Sequence, residues 1–184
     1  MTWLKKILGT FRKNIPVSVQ ILANRPLEVY PQESPMWCWA AVAQGITISR
    51  NGIRLPQWQI VEKVLGKGYL NHPKNYWKPG NVGDALNVLG QSFDLSLTPL
   101  SIKDVIEQIN ARGFVICGIW TKSHNIGHVV ALSMVQKQGS EFMVRVHDPA
   151  PQRAPKEILW QKLLVNYYGN SDGHWKISYR TPRP

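Results

Sequence analysis

At Phe114 the spacing of apolar residues changes from helical to alternating, and this switch decides the layout of the chain. Ahead of it, Ser34-Pro35 predicts a helix start, with Ser34 as cap and Pro35 in the first turn. That helix is expected from about residue 36 to Arg50, stopping at Gly52. Trp39, Ala40, Ala41, Val42, Ala43 and Ile46 make it apolar nearly all round, as a buried central helix requires. Shorter helices follow from Pro56 to Gly66, with Trp58, Val61 and Leu65 inward, and over 81–89. Phe93, Leu95 and Leu97 alternate as a short strand. Ser101 and Asp104 form a capping-box pattern for a fourth helix, with Ile102, Val105, Ile106 and Ile109 on its inner face. Strands are expected at 114–120, 128–135, 141–148 and 174–180, with a helix at 156–168. Helices first and an antiparallel sheet afterwards is an α+β layout.

A chain of 184 residues is long enough for one domain with its own core. We divide it into a basic extension, 1–16, and a domain over 17–184. Residues 1–25 read as an appendage in which Leu4, Leu8, Phe11 and Ile15 share one helical face beside lysines. Such a segment suits an anionic membrane or an acidic protein surface, and equally a helix packed on its own domain. The net charge is +11 and the first acidic residue is Glu28. Beyond residue 30 the charges are scattered, and no nucleic-acid motif appears, so no specific nucleic-acid partner is expected. No apolar run is long enough to cross a bilayer, and lysines and arginine interrupt any signal-peptide core. Of the two cysteines, Cys117 sits in an apolar strand and reads as core. No disulfide is expected, which points to a reducing compartment where the protein is made, with leaderless export left open.

Gln136-Lys137-Gln138-Gly139-Ser140 joins two strands and reads as a five-residue hairpin turn. Symmetry about Gln138 sets Val135 opposite Glu141 and His128 opposite Asp148. The face with His128, Val130, Leu132 and Met134 is the more apolar, so it is expected to point at the helices. His147 points the other way, and His124 belongs to the preceding loop.

Cysteine, histidine and aspartate in that order, with a glutamine just upstream, are the parts of a thiol nucleophile and its helpers. Cys38 falls in the first turn of the central helix, where the helix dipole and an imidazolium favour the thiolate. His128 is the candidate base, Asp148 its orienter, and the Cys38 N–H with the Gln32 amide the candidate oxyanion donors. Each residue has a structural reading too: a core thiol, a core histidine, a turn-starting Asp-Pro pair, an exposed glutamine. A metal site from Cys117, His124, His128 and Asp148 is the chemical competitor, but Cys-x-x-Cys is missing and the histidines do not share a helix face. No metal or cofactor is expected.

The runs Gln32-Glu33-Ser34-Pro35-Met36-Trp37-Cys38-Trp39-Ala40-Ala41, Gly127-His128-Val129-Val130-Ala131-Leu132 and Val146-His147-Asp148-Pro149 resemble the papain-like cysteine peptidases. They are most similar to the avirulence-effector cysteine proteases of plant-pathogenic bacteria and to the peptidase domains that cleave double-glycine leaders. The resemblance implies a helical lobe and a sheet lobe with a cleft between them. It implies Cys38 as nucleophile, His128 as base, Asp148 as orienter and Gln32 as oxyanion donor, acting on a protein or peptide substrate. A bacterial effector or toxin is the role it suggests. Acyltransferases, transglutaminases and deamidases use the same triad on this scaffold, and a non-catalytic basic binding module is the reading from another class.

Overall fold

The computed structural model describes residues 18–72, 74–75, 78–122 and 126–181. The proposed extension over 1–16 and His124 lie outside them. Helices α1 (Cys38–Asn51), α2 (Gln57–Leu65) and α3 (Val82–Val88) come first, then β2 (Asp94–Ser96) and α4 (Ile102–Asn110). Every residue of α1 from Cys38 to Thr47 is buried, as its all-round apolar sequence requires. The start of α1 differs from expectation. Ser34 does not cap it; the N–H of Trp37 bonds the Ser34 carbonyl at 3.0 Å, closing a turn, and Trp37 takes the cap position with no side-chain bond. The helix therefore opens on Cys38 itself. In α2, Ile60 and Val61 are buried, whereas Trp58 is 44% exposed, so it faces solvent rather than inward. The Asn81 side chain caps α3, and the capping box of Ser101 and Asp104 is formed at α4.

The second half is an antiparallel sheet of β3 (Phe114–Thr121), β4 (Ile126–Gln138), β5 (Glu141–His147), β6 (Lys156–Leu159) and β7 (His174–Thr181), with α5 (Trp160–Val165) after β6. Its order is β2-β7-β3-β4-β5-β6, and β1 (Val19–Asn24) pairs with the far half of β4. Residues 19–24 are thus a strand of the sheet and not part of an appendage. The helix expected over 156–168 is split. Lys156–Leu159 pairs with β5 as an edge strand, with Glu157 opposite Arg145 and an ion pair between them at 2.8 Å, and only Trp160–Val165 is helical.

The β4–β5 hairpin differs from the expected register. Gln138 pairs with Glu141, so the turn is the two residues Gly139 and Ser140, and a bulge lies between Leu132 and Met134. Beyond the bulge, Leu132 faces Val146 and Ala131 faces His147. Continued by one residue, this ladder sets Val130 opposite Asp148 and leaves His128 one diagonal step away, on the same face. The orientation of that face also differs. Val130 and Leu132 pack in the core shared with α4 and α5, while Ala131 packs in the core of α1. His128 meets the helical half near the start of β4, on the same cleft as Cys38 at the tip of α1, rather than by facing α1 across the sheet.

Candidate active site

Cys38 is the first residue of α1 and is 7% exposed. Its backbone N–H is one of the four that an α-helix leaves without an internal acceptor. The thiol opens on a cleft of about 520 Å³ walled by Met36 and Trp39 of the helix tip, the Gly80–Val82 turn, and Tyr168. Gly80 lies flat on Trp39: a Cβ there would stand 2.3 Å from the indole ring. This close approach lets the turn form the wall opposite the sheet.

His128 stands between two partners. Its Nε2 lies 2.7 Å from Oδ1 of Asp148, and the Cys38 side chain lies close enough to the ring to act on its pKa. Burial alone would hold the imidazole neutral, but the hydrogen bond to Asp148 and the nearby Cys38 outweigh it and raise its pKa to about 9. The Asp148 side chain is fully buried. Burial works against its charge, yet the His128 hydrogen bond and charge hold the carboxyl well below the ordinary carboxylate range.

Three further donors complete the carboxylate. The Ala150 N–H bonds Oδ1 at 2.9 Å, the Tyr167 hydroxyl donates to Oδ2 at 2.8 Å, and the Arg153 guanidinium forms an ion pair with Oδ2. Burial and the Asp148 charge push the Tyr167 hydroxyl far above its ordinary range, so it acts only as a donor. The neighbouring Tyr168 ring packs 6.3 Å from the His128 ring and edge-on against Tyr167. Sequence reasoning does not find Arg153, Tyr167 or Tyr168. Their one signal is proximity, Arg153 lying five residues after Asp148, and the tyrosines reach the site only through the fold.

Gln32 sits on the segment leading to α1. Its amide nitrogen donates to the carbonyls of Ser34 at 2.9 Å and Pro35 at 2.7 Å, and its Oε1 is buried without a partner. His147, on the opposite face, bonds the Ser133 hydroxyl at 2.7 Å, and burial lowers its pKa to about 4. Cys117 lies in the core shared with α4 and α5, apart from this cleft, its thiol pKa raised by burial. Among the described residues no group of three or more His, Cys, Asp or Glu is placed to hold a metal ion, and no helix is long and apolar enough to cross a membrane.

The profile of the papain-like cysteine protease AvrRpt2 family matches residues 15–161. Among solved structures, the peptidase domain of Streptococcus ComA, a bifunctional ABC transporter involved in quorum sensing, is similar. Its TM-score is 0.55 at 13% identity, over 85% of this chain and 98% of that one. A putative C39-like peptidase from Bacillus anthracis is also similar, with a TM-score of 0.48 and 16% identity over 88% of this chain and 97% of that one. No curated protein sequence matches.

Proposed function

Because this chain belongs to the papain-like cysteine protease family of AvrRpt2 and is a cysteine peptidase, we propose that Cys38, His128 and Asp148 carry the hydrolysis of a peptide or isopeptide bond in a protein substrate. The observation that carries this reading is the His128 ring held between the Cys38 side chain and the Asp148 carboxylate.

In the first step the Cys38 sulfur, its proton on His128, attacks the scissile carbonyl and forms a C–S bond. The oxygen becomes an oxyanion, met by the free N–H of Cys38. Gln32 is the second donor; turning its amide from one of the two carbonyls that now hold it frees an N–H for this use. His128 passes its proton to the leaving nitrogen, the C–N bond breaks, and an acyl thioester remains on Cys38. Water then gives a proton to His128, attacks the thioester, and releases the carboxylic acid and the thiol. Asp148 holds the imidazole tautomer and stabilises the imidazolium. Arg153, Tyr167 and Ala150 N–H hold Asp148 in turn. An effector-type protease acting on a protein of another cell is the role that fits this family.

Comparing the new protein N-termini in a proteome exposed to wild type and to Cys38→Ala tests the reading. Cleavages present with the wild type and absent with Cys38→Ala are expected. Products that carry an added amine acceptor and no new N-termini would sink the hydrolase assignment in favour of acyl transfer.

A further inference from the structure

The face of the sheet that carries α4 and α5 holds an apolar groove in two connected parts. The larger part, about 720 Å³, lies between the segment over 97–102 and α5, walled by Leu100, Leu164 and Val165. The smaller, about 160 Å³, lies beside the β4–β5 turn, walled by Phe142 and Leu159. Trp160 borders both, so they join along α5. Ile102, Phe142 and Leu164 pack on the core beneath and are only partly buried. Leu97 and Val165 are 76% and 52% exposed. Apolar side chains gathered in a recess are unfavourable in water until another apolar surface covers them.

Residues 1–17 join the described chain at the smaller end of this groove. Val19 pairs with Gln138, the Gly139 N–H meets the Ser18 carbonyl at 3.5 Å, and the next residue, Ser140, lines the recess. In the segment before Ser18, Leu4, Leu8, Phe11 and Ile15 recur at helical spacing. The residue before Pro16 is biased away from the helical conformation, so a helix there ends by Asn14. Three extended residues reach about 10 Å, which carries Ile15 from Ser18 as far as β5 runs from Gly139 to Phe142. From Leu4 to Asn14 a helix spans about 15 Å, enough to pass α5, whose six residues cover about 9 Å. Glu141 lines the smaller recess and Lys176 the larger. With one charge of each sign on the walls, apolar contact rather than net charge is what the groove offers.

We propose that residues 1–15 of the same chain dock in this groove. Ile15 and Phe11 meet Phe142 and Trp160, and Leu8 and Leu4 meet Leu164, Val165 and Leu97. The entry point, the length of the segment and its apolar spacing all match the groove. Lys5, Lys6, Arg12 and Lys13 stay toward solvent, with Arg12 and Lys13 arriving near Glu141.

Trypsin reads the docking, because Lys5, Lys6, Arg12 and Lys13 are its sites and cleavage follows the population of the undocked segment. The full chain bearing Cys38→Ala is the parent, so self-cleavage adds nothing and the outcome is independent of the proposed activity. Leu8→Asp on the segment, and Leu97→Asp and Val165→Asp on the groove, are each expected to speed cleavage within residues 1–13 about tenfold by placing a charge in the apolar contact. Leu97 and Val165 are exposed, so these changes spare the core. Ile53→Asp, at an exposed isoleucine beyond the end of α1, is expected to leave the rate unchanged. Cleavage of the parent as fast as Leu8→Asp, or acceleration by Leu8→Asp with none by Leu97→Asp and Val165→Asp, overturns the proposal. Protection that grows with protein concentration overturns it in favour of a second copy as the docking partner. Protection that arises only with phosphatidylglycerol vesicles overturns it in favour of a lipid surface.

Discussion

The backbone N–H of Gln32 donates to the carbonyl of Pro149 at 2.7 Å, tying the segment before α1 to the residue that follows Asp148. The same segment is gripped from α2. The fully buried Gln57 donates to the Pro31 carbonyl and accepts the Glu33 N–H, both at 2.9 Å. Gln32 is thus held from the sheet on one side and from the helices on the other.

Gln57→Ala is expected to lower stability by about 1–3 kcal/mol, because two part-buried backbone groups lose their partner and a buried amide is removed. Urea unfolding measures this. Gln32→Ala is expected to lower kcat by about 10²–10³ if its amide meets the oxyanion. Gln57→Ala should reproduce part of that loss, with the C-terminal half of the fold intact by circular dichroism. A Gln57→Ala protein with wild-type kcat would separate the clasp from catalysis.

Asp148 and Arg153 should move the alkaline limb of activity in opposite directions. The pKa of His128 is raised to about 9, so the imidazolium is lost as pH rises through that value. Its contribution to stability is complete below its ordinary 6.5 and disappears by about 9. Asp148→Asn removes the group that raises it: the limb should shift to lower pH, with kcat down by about 10³–10⁴. Arg153→Gln removes a cation that shares the carboxylate, so the limb should shift upward. A pH profile of iodoacetamide alkylation at Cys38 reads both variants, and shifts of the same sign in the two would contradict this account.

His147 should make the fold acid-sensitive. Burial first, and then Arg145, lower its pKa from 6.5 to about 4. Between those values the unfolded chain binds a proton that the folded chain does not, so stability falls as pH drops across the window. The urea midpoint of wild type should decline between pH 7 and pH 5, and His147→Asn should flatten that decline.

Gly80→Ala is expected to damage the cleft more than the fold. Its new Cβ would fall 2.3 Å from the Trp39 indole, so the turn over 79–82 must move outward. Overpacking of this kind costs about 1–3 kcal/mol. The kinetic signature should be a raised KM for a peptide substrate, with Cys38 alkylation rates unchanged.

Much of the helical half is readable in the sequence because its signals are local. The Ser101–Asp104 box fixes the start of α4, and the all-apolar run after Cys38 specifies a buried helix. The strands at 19–24 and 156–159 are not readable, since each is defined by a partner outside its own segment: β1 by the distant β4, and β6 by the Arg145–Glu157 pairing with β5. The common face of His128 and Asp148 follows from alternation, but their register does not. A two-residue turn and a bulge together displace the ladder by two positions, which leaves the parity intact. Arg153 and Tyr167 carry no periodic mark, and only the folded loop after Asp148 brings them to its carboxylate.

The extra residue in β4 between Leu132 and Met134 acts as a phase corrector for the whole strand. Removing one residue between it and His128 would turn the imidazole to the far side of the sheet, whereas removing two would keep its side and shift it by one pleat. Relatives of this protein that keep the histidine on its present side should therefore differ in the length of this stretch by even numbers, or else have lost the bulge along with the odd residue.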